Sequence, residues 1–79
     1  MKMTLDKIEL LLEAGNISKA TVFRCPERAG KWSVRFLRNT GEAVSLRAYR
    51  NNLRQFATVD SAIRLLDGLG FKHTDVEWS

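Results

Sequence analysis

The sequence predicts a single α+β domain, and three observations lead to that class. Two segments repeat apolar residues at the helical period, other segments alternate apolar and polar residues, and turns containing glycine separate them. The predicted order is α-β-β-β-α-β, and the expected sheet is antiparallel with both helices packed on one face. With 79 residues, no internal repeat and no low-complexity tract, the chain is expected to form one domain over residues 1–79.

Two amphipathic segments predict the helices. The first helix is expected from Thr4 to Ala14, where Gly15 ends it. The second is expected after Thr58, whose hydroxyl can accept a first-turn N–H, and Gly70 can take the left-handed conformation that ends a helix. The apolar stripes that would face the core contain Leu5, Ile8, Leu11 and Leu12 in the first helix, and Ala62, Ile63, Leu66 and Leu69 in the second.

Four strands are expected, over residues 19–25, 31–38, 42–49 and 72–78. Pro26 ends the first strand, and the turn from Glu27 to Gly30 predicts that the first two strands pair as a hairpin. Alternation assigns one face of the sheet to the helices, and that face contains Val34, Phe36, Val44 and Leu46. The opposite face then presents Thr21, Phe23, Ser33, Arg35, Leu37, Ser45, Arg47 and Tyr49.

Basic charge is concentrated in the middle of the chain. The formal net charge is +4, but residues 19–54 contain nine Lys or Arg against two acids, and both flanking segments are mildly acidic. An uneven basic charge is typical of proteins that bind nucleic acid, although a solvated surface accounts for it equally well. The single cysteine, Cys25, cannot form an internal disulfide, which favours a cytoplasmic setting.

The open sheet face suggests two ways of binding nucleic acid. Arg35 and Arg47 could donate to guanine edges if the sheet enters a major groove. Alternatively, Phe23 and Tyr49 could stack unpaired bases. The turn after the third strand would then hold phosphates. The predicted nucleic-acid-binding residues are therefore Phe23, Arg35, Arg47, Tyr49, Arg50 and Arg54.

The sequence gives little indication of catalysis or of a membrane. His73 is the only histidine and Cys25 the only thiol, so no usual metal-ligand set is present, and no serine has a recognisable base partner. A Cys25–His73 dyad is conceivable in space, but two residues alone are a weak signal of catalysis. We therefore expect no enzyme, no cofactor and no metal. No apolar run is long enough to span a membrane. The alternative function is a protein-interaction or dimerisation module, with a homodimer formed through the C-terminal strand and its Trp78.

Two segments carry a resemblance to a known group of proteins. They are MTLDKIELLLEAG, from Met3 to Gly15, and RQFATVDSAIRLLDGLG, from Arg54 to Gly70, with a basic hairpin between them. Together they resemble small plasmid-borne partition-associated accessory proteins of the ParC type, which are unrelated to the topoisomerase subunit of that name. The resemblance covers nearly the whole chain and implies a bacterial cytoplasmic protein acting beside DNA segregation or replication. It implies no set of binding residues.

Overall fold

The computed structural model describes residues 3–48, 50 and 52–77. Two helices and four strands follow one another along the chain, and the α+β class is confirmed. Their bounds are α1 Leu5–Glu13, β1 Ile17–Arg24, β2 Trp32–Arg38, β3 Ala43–Ser45, α2 Val59–Gly68 and β4 Asp75–Glu77.

The two helices begin differently although both have threonine at the N-cap. The Thr58 hydroxyl accepts a hydrogen bond from the backbone N–H of Ser61 at 3.1 Å, whereas the Thr4 side chain makes no capping bond. At the other end of α2, Gly70 has φ +99° and Phe71 donates its N–H to the carbonyl of Leu66 at 3.0 Å. The predicted start and end of α2 are therefore confirmed.

The sheet is mixed, so the expectation of an antiparallel sheet is only partly right. The spatial order is β3-β2-β1-β4, in which β1 pairs with β2 and β2 with β3 antiparallel, but β4 runs parallel to β1. The first three strands are joined by short turns, which reverse the chain. The fourth follows α2, and a helix that returns across a sheet brings the next strand back in the original direction.

The third strand is shorter than expected. It pairs with β2 only through Ala43–Ser45, whereas the alternation predicted a strand over 42–49. After Ser45 the chain leaves the ladder in a small hairpin closed by an isolated bridge between Arg47 and Leu53, and it returns to pair Phe56 with Trp32. The last strand is shorter as well, with its regular part at Asp75–Glu77, and Trp78 lies outside the described residues.

One apolar core lies between the sheet and the helices. Ile8 of α1 and Ala62 and Leu66 of α2 pack in the same cluster as the inward residues of β1 and β2, and Phe71 contacts Phe36 with ring centroids 5.8 Å apart. Burial of these side chains is the main stabilising term of so small a domain. The fully or almost fully buried members of the cluster are Ile8, Ala20, Val22, Val34, Phe36, Leu46, Phe56, Ala62 and Leu66.

Candidate nucleic-acid interface

The sheet face turned away from the helices carries Phe23 and Arg35 together, as alternation predicts. In the register, Thr21 of β1 lies between Arg35 of β2 and Asp75 of β4, and Phe23 lies beside Glu77. We call this surface the open face and define it by Lys19, Thr21, Phe23, Arg35, Asp75 and Glu77. The Arg35 guanidinium lies 5.0 Å from the centroid of the Phe23 ring, within cation–π range.

The cations of the open face are neutralised within the chain. Arg35 forms an ion pair with Glu77, and Lys19 forms one with Asp75 at 3.1 Å. Arg35 reaches across β1 to do so, and Thr21 beneath these side chains is only 6% exposed. Two cations and two carboxylates thus leave the open face without net charge, although the central part of the chain is strongly basic.

Arg47 does not share this face with Arg35 in the way that alternation predicts. Because β3 ends at Ser45, Arg47 lies beyond the ladder, where its N–H donates to the carbonyl of Met3 at 2.8 Å. Half-buried Arg47 lines a concavity of about 440 Å³ at the start of α1, and Asp6 and Arg54 line the same concavity. The structure therefore brings Arg47 together with Arg54 and separates it from the β2–β3 ladder.

The other predicted residues lie on or beside the small hairpin after β3. Arg50 is exposed in this hairpin and Arg54 is exposed just after it, while Tyr49 lies outside the described residues. The hairpin is attached to the β1–β2 turn, because the N–H of Leu53 donates to a carboxylate oxygen of Glu27 at 2.9 Å. Arg50 and Arg54 therefore lie at the same end of the sheet as that turn.

A second basic surface forms at this end of the sheet. We call it the hairpin-end surface and define it by Arg24, Arg28, Lys31, Arg50 and Arg54. Among the residues that the structure describes, none of these five cations has a carboxylate within ion-pair distance. Apart from them, the basic residues of segment 19–54 are Arg47, which has contacts of its own, and Lys19, Arg35 and Arg38, which are ion-paired.

Two arginines of the hairpin-end surface lie over aromatic rings within cation–π distance. Arg24 is the register partner of Trp32, which in turn forms the bridge with Phe56, so the three lie in one row across the sheet. The Arg24 guanidinium lies 5.5 Å from the Trp32 ring centroid, and that of Arg54 lies 5.5 Å from the Phe56 ring centroid. Phe56 is only 8% exposed, so its ring supports Arg54 and is not itself open to a ligand.

Sequence reasoning missed part of this surface. Arg24, Arg28 and Lys31 contribute to the local basic charge but were assigned to no site, because Arg24 has the opposite strand parity to Phe23, and Arg28 and Lys31 lie between the regular parts of β1 and β2. The signal was present: Arg24 has the parity of Ala20 and Val22, and it lies opposite Trp32 once the first two strands form a hairpin.

The chain offers no assembled metal centre in the part described here: residues 3–48, 50 and 52–77 contain no cluster of three or more His, Cys, Asp or Glu side chains able to hold an ion. Neither helix of the described chain has the length and apolar character needed to cross a membrane. No protein-family model matches the sequence, and no curated protein or solved structure shows significant similarity to it.

Proposed function

We propose that the protein associates with nucleic acid, without catalysis, through its hairpin-end surface. The observation that supports the proposal is the group of five cations, Arg24, Arg28, Lys31, Arg50 and Arg54, that have no carboxylate partner in the described chain. A cation that is not already paired keeps its full interaction with a phosphate and releases counterions when it binds one.

The aromatic supports of Arg24 and Arg54 strengthen this proposal. A guanidinium held over a ring by a cation–π contact still has N–H donors that can bind phosphate oxygens in a bidentate manner. The contact also restricts the side chain before a ligand arrives, so less conformational entropy is lost on binding. Lysine in the same positions would offer charge without this planar orientation.

The arrangement favours contacts to the nucleic-acid backbone over reading of base sequence. Phosphate contacts fix position and affinity, whereas sequence is read at base edges. The resemblance of Met3–Gly15 and Arg54–Gly70 to plasmid partition-associated proteins directs the proposal to DNA and to a cytoplasmic accessory role for a mobile element. The predicted residues Arg50 and Arg54 remain in the proposed interface, and Arg24, Arg28 and Lys31 join them.

A salt titration tests the proposal. Five phosphate contacts to duplex DNA would give log affinity against log salt a slope of about −4.5. Arg24→Gln with Arg54→Gln should reduce that slope by about 2 and lower affinity about tenfold or more near 0.1 M salt. Fluorescence anisotropy with a labelled random-sequence duplex measures both quantities.

The matched control is Arg64→Gln with Lys72→Gln, which removes the same charge from exposed positions on and just after α2. It should change affinity about twofold at most. Equal losses in the two double variants would show that net charge alone determines binding, and absence of salt-dependent binding by the wild type would contradict nucleic-acid association.

One observation favours a second candidate function, a dimerisation module. In the sheet order β4 is outermost, and its pairing with β1 uses only one of its two edges. A free strand edge is a template for another strand. Analytical ultracentrifugation tests this candidate, since a dimer through β4 would dissociate on dilution and would be lost when residues after Thr74 are removed.

A further inference from the structure

Both outward side chains of β4 are carboxylates, and each contacts a cation of a different strand. Asp75 pairs with Lys19 of β1, and Glu77 pairs with Arg35 of β2. Both acids of the open face thus come from β4, because β1 and β2, which carry Lys19 and Arg35, contain no Asp or Glu. A single short segment therefore determines whether this face is basic or neutral.

The carboxylates occupy positions in which an external anion would be bound. The Arg35 guanidinium lies over the Phe23 ring and donates to Glu77, and its position over a ring is like that of Arg24 and Arg54 at the hairpin end. The four charged side chains of the open face line a concavity of about 300 Å³ together with Thr21 and Leu37. The cations of the open face are thus already arranged around acidic groups.

We propose that Asp75 and Glu77 are built-in substitutes for phosphates, and that the open face is a second nucleic-acid-binding surface which β4 masks. The inference rests on the proposed function, since the same ligand would occupy both surfaces. Displacement or neutralisation of the two carboxylates adds Lys19 and Arg35 to the phosphate contacts, and it leaves Phe23 beside them as a support for stacking.

Spacing supports a nucleic-acid strand as the occupant. Asp75 and Glu77 are two residues apart on one side of an extended strand, so their backbone positions are about 6.6 Å apart. Successive phosphates of an extended nucleic-acid strand have a similar separation. Because the two ion pairs of β4 are exposed, they contribute little to folding, so neutralising both carboxylates should unmask the open face without unfolding the domain.

The test compares two double variants that raise net charge equally. Asp75→Asn with Glu77→Gln unmasks the open face, whereas Glu13→Gln with Asp67→Asn removes two exposed carboxylates at the ends of the helices. The first should steepen the salt slope for a random-sequence duplex by about 1.8 and raise affinity at least about tenfold near 0.1 M salt. The second should leave the slope unchanged. Adding Arg35→Gln to the unmasked variant should remove about half of the gain in slope.

Each outcome separates this inference from the proposed function. If the wild type binds DNA through Arg24 and Arg54 but the unmasked variant gains no more than its control, masking is wrong and the proposed function stands. If the unmasked variant gains affinity for a polyglutamate probe and not for DNA, the open face takes acidic peptides and the inference is overturned. If the wild type binds no DNA at all, the proposed function fails first.

A measurement on the wild type keeps the inference testable even if the unmasked variant does not fold. Saturation with the duplex should shift the backbone amide NMR signals of Arg24, Arg28, Lys31, Arg50 and Arg54 and spare those of Thr21 and Arg35. Equal shifts on both surfaces would show that β4 does not mask the open face.

Discussion

The open face and the hairpin-end surface are built from the same kinds of side chain, yet they differ in what their arginines contact. Arg35 lies over Phe23 much as Arg54 lies over Phe56, at 5.0 and 5.5 Å from the ring centroids. Arg35 is also paired with Glu77, whereas Arg54 has no carboxylate partner in the part of the chain that the structure describes. The difference lies entirely in β4, which covers one surface and not the other.

This comparison shows that a basic segment is not the same as a basic surface. Exposed ion pairs contribute about 0–1 kcal/mol each to folding, so the two pairs of the open face matter little for stability. The pairs matter more for DNA binding, because a cation that is paired with a carboxylate must lose that contact before it can bind a phosphate. An unpaired cation gains a phosphate without that loss.

The largest expected effect comes from removing an aromatic support on each surface. Trp32→Ala removes a half-buried ring beneath Arg24, so we expect the free energy of unfolding to fall by about 2–3 kcal/mol and DNA affinity to fall as well. Phe23→Ala should cost about 1–2 kcal/mol and leave affinity unchanged, because Arg35 remains paired with Glu77. Urea denaturation and anisotropy measure the two quantities.

Trp32→Phe is the control for that comparison, since it keeps a ring under Arg24 and should retain affinity within about threefold. If Phe23→Ala weakens DNA binding as much as Trp32→Ala does, the two surfaces are not distinct.

A smaller effect is expected from removing a helix cap, which should lower stability without changing DNA affinity. Thr58→Ala removes the capping bond to Ser61 and should lower the free energy of unfolding by about 1 kcal/mol, with no change in DNA affinity. Thr4→Ala is the natural counterpart, because Thr4 makes no side-chain capping bond at α1, and it should have a smaller effect. Thermal or urea unfolding of both variants checks the expectation. A loss of affinity in folded Thr58→Ala would mean that binding responds to stability in general.

The smallest expected effect comes from replacing an arginine by lysine, which keeps the charge and removes the planar guanidinium. Arg54→Lys keeps the charge but loses the planar fork of donors that binds a phosphate in a bidentate manner; loss of one such hydrogen bond, worth about 0.5–1 kcal/mol, should lower affinity about two- to fivefold. Arg35→Lys should not change affinity, because the open face is masked in the wild type. Fluorescence anisotropy at one low salt concentration compares the DNA affinities of the two variants. A greater loss for Arg35→Lys than for Arg54→Lys would reverse the assignment of the two surfaces.

Features that depend on neighbours in sequence were predictable. The cap at Thr58, the left-handed Gly70 and the β1–β2 hairpin each follow from local chemistry, and the pairing of Phe23 with Arg35 on one face follows from alternation. Arg47 was misplaced because alternation continues past Ser45 although the hydrogen-bonded ladder does not. Periodicity indicates which side a residue faces, but not where a strand loses its partner.

Features that depend on distant segments were not predictable. The parallel placement of β4 follows from the path of α2 across the sheet, and short segments such as 72–78 contain no signal for the strand that they will join. The neutral open face could not be inferred for the same reason, since Asp75 and Glu77 become its neighbours only through that placement.

The position of β4 also determines when, during synthesis, the cations of the open face first contact their acidic partners. Lys19 and Asp75 are 56 positions apart, so their contact closes a long loop and must wait until residue 75 has left the ribosome. The β1–β2 hairpin closes a short loop and can form much earlier. During synthesis, therefore, the basic hairpin exists for a time with Glu27 and Glu42 as the only acids of segment 19–54, close to the polyanionic RNA of the ribosome. Docking of the last strand is then the folding step that makes the open face electrically neutral.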